Sequence, residues 1–368
     1  MKMKKWICVL AALMLVSTCA LAEEYVNIAE LREQAKAGWN ETYTAKGREV
    51  VVSAEMDWFP EDADTCPLVT VDPLVIEEDD PRLDKWEAPY SSIYALPDRI
   101  VIDMTNHKKQ DLIKLGGWMG KWLSDRYSYY NGEFPDREAE DCDITFEEFL
   151  AKFEEHLLDL TGLALSDVHI DEIQVSSPSY KGIKKNGEYT RGDKLTAAGS
   201  YFIQARQLVQ GIPVLGAMQG LDKGRVDYSY YQPEYQLLTF WSVTNPSVVK
   251  EDLPLLSFDA FKGELEKLID AGKLRGVDKM RFGYGTCKDG KTWKLVPVWL
   301  VTCGYTDNPN DEKHVMPYED SDGTIVAPTG YRDYYFNAQT GEMMNYYALN
   351  RYEDSLPMPK ILTWNDVK

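Results

Sequence analysis

Residues 201–217, YFIQARQLVQGIPVLGA, contain the clearest strand–turn–strand pattern in the chain. Up to Leu208, successive side chains alternate between two faces, as they do along one β-strand. Gln210 and Gly211 then predict a turn, and the next strand starts directly after it. Pro213 has no N–H group, so it belongs at the start of a strand or on a sheet edge. The stretch therefore predicts a β-hairpin, and it contains no catalytic motif.

The N-terminus has the sequence features of a secretory signal peptide. Three lysines precede an apolar run at residues 6–16, which is too short to cross a bilayer comfortably. Ala20 and Ala22 form an A-x-A cleavage site, so we expect residues 1–22 to be removed. The alternatives are an uncleaved anchor and a lipoprotein lipidated at Cys19, and either would bring the chain to a membrane. We therefore expect a secreted or cell-envelope protein.

Length and charge exclude some classes of function. Even without its leader the 368-residue chain is long enough for about two to three domains, and its hydrophobic content of 44% is ample for packed cores. The net charge of −20 repels phosphate backbones, so we expect no nucleic-acid partner. The same charge is compatible with cations, with basic peptides, or with solubility alone.

Four cysteines remain after the leader: Cys66, Cys142, Cys287 and Cys303. An even number outside the cytoplasm permits two disulfides, in any of three connectivities. A direct Cys287–Cys303 bridge does not fit the hairpin that we predict around residues 281–303, because Cys287 would face Thr292 there. The chain has no C-x-x-C pair, so neither a zinc ribbon nor a redox motif is indicated.

The first region after the leader, residues 23–140, is predicted to be α+β. Its predicted elements are a helix at 27–38, strands at 42–58, 66–75 and 100–104, a helix at 108–124 and a loop at 127–137. Residues 77–81 form an acidic break, which we interpret as a solvated loop.

Two later regions, residues 141–252 and 253–368, repeat one plan. Thr145 starts a capping box before a helix with one apolar stripe, and Ser257 caps a second helix of the same kind. About four antiparallel strands are predicted after each helix, at 168–175, 195–208, 212–218 and 235–243, and at 279–287, 293–303, 333–336 and 343–347. The predicted fold class is α+β, with tandem units of one helix packed on an antiparallel sheet behind an extra N-terminal α+β region.

No constellation of residues names a reaction. The four histidines have no paired metal-ligand spacing, and we expect His156 on the polar side of its helix. The acidic loop at 307–322 lacks the ligand spacing of an EF-hand. A nucleophile elbow, a phosphate loop and a dinucleotide fingerprint are missing from the sequence. We therefore predict no catalytic residue, no cofactor and no metal ligand.

Tyrosine is abundant, with 23 residues, and there are 10 tryptophans. Tyrosines cluster at 127–130, 228–231, 334–335 and 346–347. Adjacent residues of a strand face opposite ways, so we expect one ring of each pair on an exposed face, where it suits peptide or glycan contact. Ordinary sheet composition is the simpler explanation.

Three short motifs follow one another between residues 145 and 350. They are R-x-x-x-x-G-I-P-V with Arg206, Gly211 and Pro213, L-V-P-V-W-L-V with Pro297 and Trp299, and Y-F-N-A-Q-T-G-E with Asn337 and Gly341. In this order they resemble PepSY-type modules and the YycI-like regulators of Gram-positive bacteria. We interpret their residues as defining the fold and not as a binding site.

The resemblance implies a non-enzymatic role outside the membrane, as a propeptide-like protease inhibitor or as a regulator of a sensor kinase. YycI-like proteins keep a membrane anchor, and the cleavable leader departs from that pattern. We expect a secreted, non-catalytic binding or regulatory protein with a protein or peptide partner. The alternatives are an extracellular hydrolase with paired carboxylates, whose separation in space would be diagnostic, and a glycan-binding surface protein.

Overall fold

The computed structural model describes the chain from residue 24 onward, with gaps. The ranges left out are 1–23, 75–79, 82–91, 97–98, 104–121, 124–125, 186–187, 216–223, 233–234, 241, 273, 275, 290–291, 304–317, 320–324, 327–331 and 345–357. The predicted leader with Ala20, Ala22 and Cys19 therefore lies outside the described residues. So do most of the helix predicted at 108–124, most of the acidic loop at 307–322, and the tyrosines at 346–347.

The described helices are short or of medium length. They are α1 (Ile28–Ala35), α2 (Phe146–Thr161), α3 (Phe258–Asp270) and α4 (Trp364–Val367). The strands are β1 (Tyr25–Val26), β2 (Trp39–Ala45), β3 (Arg48–Trp58), β4 (Leu68–Pro73), β5 (Ser92–Leu96), β6 (Arg99–Asp103), β7 (Trp122–Leu123), β8 (Arg126–Tyr130), β9 (Val168–Ser176), β10 (Ser179–Lys185), β11 (Glu188–Ala197), β12 (Ser200–Val209), β13 (Ile212–Leu215), β14 (Arg225–Gln232), β15 (Tyr235–Phe240), β16 (Val243–Lys250), β17 (Leu255–Leu256), β18 (Gly276–Asp289), β19 (Thr292–Cys303), β20 (Tyr318–Glu319), β21 (Ile325–Val326), β22 (Arg332–Asn337) and β23 (Met343–Met344).

The chain divides into two compact units. Unit 1 combines the residues up to 70 with those from 247 onward, and unit 2 contains residues 71–246. Unit 1 is therefore built from both ends of the chain, and the predicted N-terminal region 23–140 is shared between the units.

The sheet of unit 1 is mixed. Its strand order includes β2-β3-β18-β19-β22-β23, in which β3 and β18 run parallel and the other neighbours are antiparallel. Helix α3 packs on this sheet, and its Phe261 ring stacks on Trp299 with the ring centroids 5.3 Å apart. Helix α1 lies against α3 and buries Ile28, Leu31 and Ala35.

The sheet of unit 2 is antiparallel, with the strand order β8-β9-β12-β14-β15-β6-β5. Helix α2 covers one face. Its Phe149 ring stacks on the rings of Tyr201 and Tyr228, each with a centroid distance of 5.2 Å. The helix starts at the predicted capping box of Thr145 and ends at Gly162, which has a left-handed conformation.

The hairpin predicted from residues 201–217 is present in unit 2. Val209 pairs with Ile212, and Leu208 pairs with Pro213. The two residues between the strands, Gln210 and Gly211, have φ angles of 54° and 74°. Positive φ at both central positions is the geometry of a type I′ turn, whose twist matches that of the flanking strands.

The predicted fold class is wrong. The chain is mostly sheet with few helices, and a large mixed sheet takes the place of tandem units of one helix on an antiparallel sheet. Strands β2 and β3 of the supposed N-terminal region belong to the sheet of unit 1, whereas β5, β6 and β8 belong to that of unit 2. Apolar periodicity indicates which face of a strand is buried, but it does not indicate the neighbouring strand.

Several element boundaries also differ from the predictions. The long strand expected at 42–58 is the hairpin β2–β3, which turns at Lys46 and Gly47, both with positive φ. The strand expected at 195–208 is the end of β11 followed by β12. The expected loop at 127–137 contains most of β8, and the end of the helix expected at 108–124 is β7. Cys287 pairs with Lys294 and not with Thr292.

Candidate functional site

The seven motif residues lie in both units and form no common site. Arg206, Gly211 and Pro213 belong to unit 2, and Pro297, Trp299, Asn337 and Gly341 belong to unit 1. Asn337 has a structural role, because its side-chain oxygen accepts hydrogen bonds from the N–H groups of Gln339 and Thr340 at 2.8 and 3.3 Å. The side chain of Trp299 is completely buried.

An exposed surface around β8 has features of a binding site. We define the β8 surface as residues 126–130 together with Phe134, Asp136 and Arg137. Four large apolar side chains are exposed among the described residues of unit 2, and three of them lie here: Tyr127 is 38% exposed, Tyr130 51% and Phe134 54%, whereas Leu158 (54%) lies on α2. Exposed aromatic side chains are typical of contact sites, because they bury a large area at a small cost in conformational entropy. Tyr127 and Tyr130 are three residues apart on β8 and therefore point to its two opposite faces.

Local sequence explains the path of the chain at this surface. Asn131 and Gly132 have φ angles of 54° and 80°, and the Glu133 N–H donates to the Tyr130 carbonyl at 3.1 Å. This is a two-residue type I′ turn, for which Asn-Gly is the preferred sequence. The turn ends β8 and returns the chain, so that residues 134–137 lie beside the strand. The Asn-Gly pair was the sequence feature that would have located β8.

Strand β8 lies at an edge of the described sheet. Within the part of the chain that the structure describes, β9 is its hydrogen-bonded neighbour, and the register pairs Ser128 with Gln174. The Asn131 N–H donates to the Asp171 carbonyl at 3.1 Å. Because bonded and non-bonded pairs alternate along an antiparallel ladder, the backbone N–H and C=O of Ser128 face away from β9.

An arginine lies in a cage on the β8 surface. The Arg137 guanidinium is centred 3.8 Å above the Tyr127 ring, and its Nε donates to the Tyr129 hydroxyl at 3.1 Å. The Tyr129 hydroxyl donates in turn to the Asp136 carboxylate at 2.6 Å. The hydrogen bond from Tyr129, followed by that from Arg137, lowers the pKa of Asp136 below its ordinary value.

The segment that carries Arg137 is fixed to the core of unit 2. The Glu138 carboxylate accepts hydrogen bonds from the Tyr201 hydroxyl and from the Phe146 N–H, the latter at 2.7 Å. The Ala139 N–H donates to the same Tyr201 hydroxyl at 2.9 Å. The Phe146 N–H lies at the first turn of α2, where the helix has no internal acceptor for it and where the dipole favours a carboxylate.

The chain around this surface is strongly acidic. Residues 133–148 contain eight acidic residues, and Arg137 is the one basic residue among them. At low ionic strength such a segment attracts cationic groups and repels anionic ones.

The face of the unit 2 sheet opposite α2 is polar. Arg206 donates through Nε to the Asp171 carboxylate at 2.6 Å, and both side chains are 6% exposed. Arg225 similarly donates to Asp227 at 2.7 Å. The register shift between β9 and β12 lies at Asp171. A bulge redirects a side chain, which explains how Asp171 reaches Arg206.

The prediction that places His156 on the polar side of its helix is wrong. His156 is buried and not on the polar side of α2, and the Tyr228 ring meets it edge-on at 5.1 Å. Tyr228 and Tyr230 are both buried, because residues two apart on a strand share one face. In the cluster at 127–130, Tyr127 and Tyr130 are exposed. The side chain of Tyr231 and the tyrosines at 346–347 lie outside the described residues, so the expectation of one exposed ring in each of those pairs stays a prediction.

Cys66 and Cys142 do not have the properties of reactive thiols. Cys66 is completely buried, and burial raises the pKa of its thiol. Burial also raises the pKa of the half-buried Cys142. A thiol needs a lowered pKa to react as a thiolate. Cys66 and Cys142 are free thiols.

The described ranges contain neither a metal-binding cluster nor a membrane-spanning helix. No group of three or more His, Cys, Asp or Glu side chains there is arranged to hold a metal ion. None of the described helices has the length and apolar character needed to cross a membrane. His107 and His314 lie outside the described residues.

Comparison with known proteins does not assign the chain to a family. Neither a family model nor a curated protein matches it. It is similar to an uncharacterized protein from Eubacterium rectale, with 12% sequence identity and a TM-score of 0.44 over 88% of this chain and 96% of that one. A likeness at this level supports no argument about function. The resemblance to PepSY-type and YycI-like modules stays a prediction.

Proposed function

We propose that the chain is a non-catalytic binding protein outside the cytoplasm, and that its β8 surface binds an extended basic segment of a protein partner. The observation that carries the proposal is that β8 has a hydrogen-bonded neighbour on one side alone among the described residues, with exposed aromatic side chains on and beside it. An extended peptide adds to such an edge through main-chain hydrogen bonds, while alternate side chains contact the neighbouring surface. The leader-like N-terminus supports a location outside the cytoplasm.

The acidic chain around the β8 surface indicates that the partner's segment is positively charged. Eight carboxylates between residues 133 and 148 favour a peptide rich in lysine and arginine over an acidic one. The hydrolase alternative has less support, because Asp171 and Asp227 each have an arginine as a close ion-pair partner. That arrangement is typical of structural ion pairs and not of a general acid kept protonated.

The test uses a proline that blocks the edge. Ser128→Pro removes an N–H that faces away from β9, so the β8–β9 ladder keeps its hydrogen bonds. Binding of fluorescent extended decapeptides, basic or with every charge reversed, is measured by polarisation. We expect the basic peptide alone to bind, and Ser128→Pro to weaken its binding roughly tenfold, which is the upper end of the range for the loss of one main-chain hydrogen bond.

Ser128→Ala is the matched control, since it changes the same side chain and keeps the N–H group. It should bind like the unmodified protein. Equal binding by the proline variant would contradict edge addition. Binding of oligosaccharides that is lost in Tyr130→Ala, with no peptide bound, would replace the proposal by the glycan-binding alternative. A large fall in Tm for Ser128→Pro would show that this edge is already paired, and would also contradict the proposal.

A further inference from the structure

The cage around Arg137 indicates which side chain a partner inserts. We infer that Tyr127, Tyr129 and Asp136 form a recognition site for an arginine of the partner, and that Arg137 occupies this site in the unbound protein. The inference rests on the proposed function, because it concerns the same β8 surface and specifies the chemistry of the bound peptide.

The cage matches a guanidinium group in three ways. The Tyr127 ring presents its face to the planar group at 3.8 Å, the Tyr129 hydroxyl accepts from Nε at 3.1 Å, and the Asp136 carboxylate lies 3.4 Å from the same Nε. A flat cation that stacks and donates in its own plane uses all three contacts at once. A lysine ammonium is a compact charge without a plane and cannot stack in this way.

The present occupant is held weakly enough to be exchanged. The side chains of Arg137 and Asp136 are 44% and 78% exposed, and ion pairs at such positions contribute little to stability. The next residue, Glu138, is hydrogen-bonded to Tyr201 and to the start of α2, so the backbone keeps its position when the Arg137 side chain leaves. An incoming arginine therefore replaces a side chain and does not require the segment to unfold.

Self-occupancy lowers the apparent affinity for a partner. A site that is filled by its own chain binds an external group only in the fraction of molecules in which it is open. For an exposed cation–π contact this fraction amounts to a factor of about 2 to 5 in the dissociation constant. The occupied cage also disfavours ligands that lack a competing guanidinium.

The test opens the cage with Arg137→Gln and uses three peptides of one sequence that carry arginine, lysine or citrulline at the central position. We expect Arg137→Gln to bind the arginine peptide about 2 to 5 times more tightly than the unmodified protein, with a smaller gain for lysine and none for citrulline. Adding Asp136→Asn to Arg137→Gln should reduce the preference for arginine over citrulline, since the contact with the Tyr127 ring remains.

The matched control is Lys36→Gln, which removes one exposed positive charge from unit 1 and pairs with Glu33 in the unmodified protein. It should leave all three affinities unchanged. If Lys36→Gln tightened binding of the arginine peptide as much as Arg137→Gln does, net charge would explain the effect and the inference would be overturned. Equal tightening of the arginine and citrulline peptides by Arg137→Gln would also overturn it.

The two proposals fail in different ways. If Ser128→Pro weakens the basic peptide but Arg137→Gln changes no preference among the three peptides, the edge function stands and the cage inference falls. If N-acetyl-arginine amide binds to Arg137→Gln by NMR titration while no peptide responds to Ser128→Pro, the cage stands and the edge function falls. In an NMR titration of the unmodified protein with the arginine peptide, the ¹H–¹⁵N signal of Arg137 Nε should move.

Discussion

Acid should destabilise unit 2 through His156. The imidazole is buried between α2 and the sheet, with the Tyr228 ring edge-on at 5.1 Å. Burial lowers the pKa of His156 to about 4 from an ordinary value of 6.5, partly opposed by a hydrogen bond with Gln236. The charges that act on it most are Lys152, which favours the neutral ring, and Asp159, which favours the protonated one.

The sign and size of the effect follow from these two pKa values. The unfolded chain binds a proton at His156 below about pH 6.5, whereas the folded protein does so only near pH 4. The contribution of the neutral, buried His156 to the free energy of unfolding is therefore complete above pH 6.5 and is lost as the pH falls towards 4. Linkage gives a loss in the free energy of unfolding, relative to pH 7.5, of about 2 kcal/mol at pH 5 and about 3 kcal/mol at pH 4.

The assay is urea unfolding followed by circular dichroism at pH 7.5, 6, 5 and 4, for the unmodified protein and for His156→Leu. Leucine fills a similar volume and does not titrate, so the variant should lose less stability with acid than the unmodified protein does. The lowered pKa values of Asp136 and Asp366 also make the protein less stable in acid. Both proteins share these two groups, so their effect cancels in the difference between the two stability curves. Parallel stability curves for the two proteins would refute the reasoning.

Three further outcomes test the packing. Gly341→Ala should lower the free energy of unfolding by about 1–3 kcal/mol, because Gly341 has φ +69° and a Cβ there would lie 2.4 Å from Glu264 Cγ. Gly263→Ala, in an open position on α3, should raise it by about 0.5–1 kcal/mol, and both are measured by urea unfolding. Arg206→Met should cost about 3–5 kcal/mol, because it removes the guanidinium from a buried Asp171, and adding Asp171→Leu should recover more than half of that loss. Additive losses in that double variant would argue against a buried ion pair as the cause.

The sequence predicted those features that depend on neighbours along the chain. The capping box at Thr145, the N-cap at Ser257 and the turn at Gln210–Gly211 are each set by contacts within four residues. Strand partners are not local. The parallel pairing of β3 with β18 joins the two ends of the chain, and nothing in either strand specifies the other. The tandem-unit interpretation failed for this reason.

The candidate site was hidden from sequence reasoning for a related reason. A tyrosine on a strand suits a core and a binding surface equally well, and only the position of its strand in the sheet separates the two. Tyr228 lies on a central strand under α2 and is buried, whereas Tyr130 lies on β8, at the edge of the sheet as far as the structure describes it, and is exposed. His156 shows the same limit on a helix, since it follows Phe149 by two turns and therefore shares its buried stripe.

The stretch at 201–217 has a role in the candidate site as well as in the fold. Tyr201 lies at the start of β12, where its ring stacks on Phe149 while its hydroxyl bonds Glu138 and Ala139. The same side chain thus joins the core of unit 2 to the segment that carries Arg137. Tyr201→Phe would keep the stack and remove the hydroxyl, so it should loosen the cage while changing the stability of the sheet little. If the β8 surface binds a partner as proposed, this stretch would therefore influence binding through the segment that Tyr201 positions and not through direct contact with the partner.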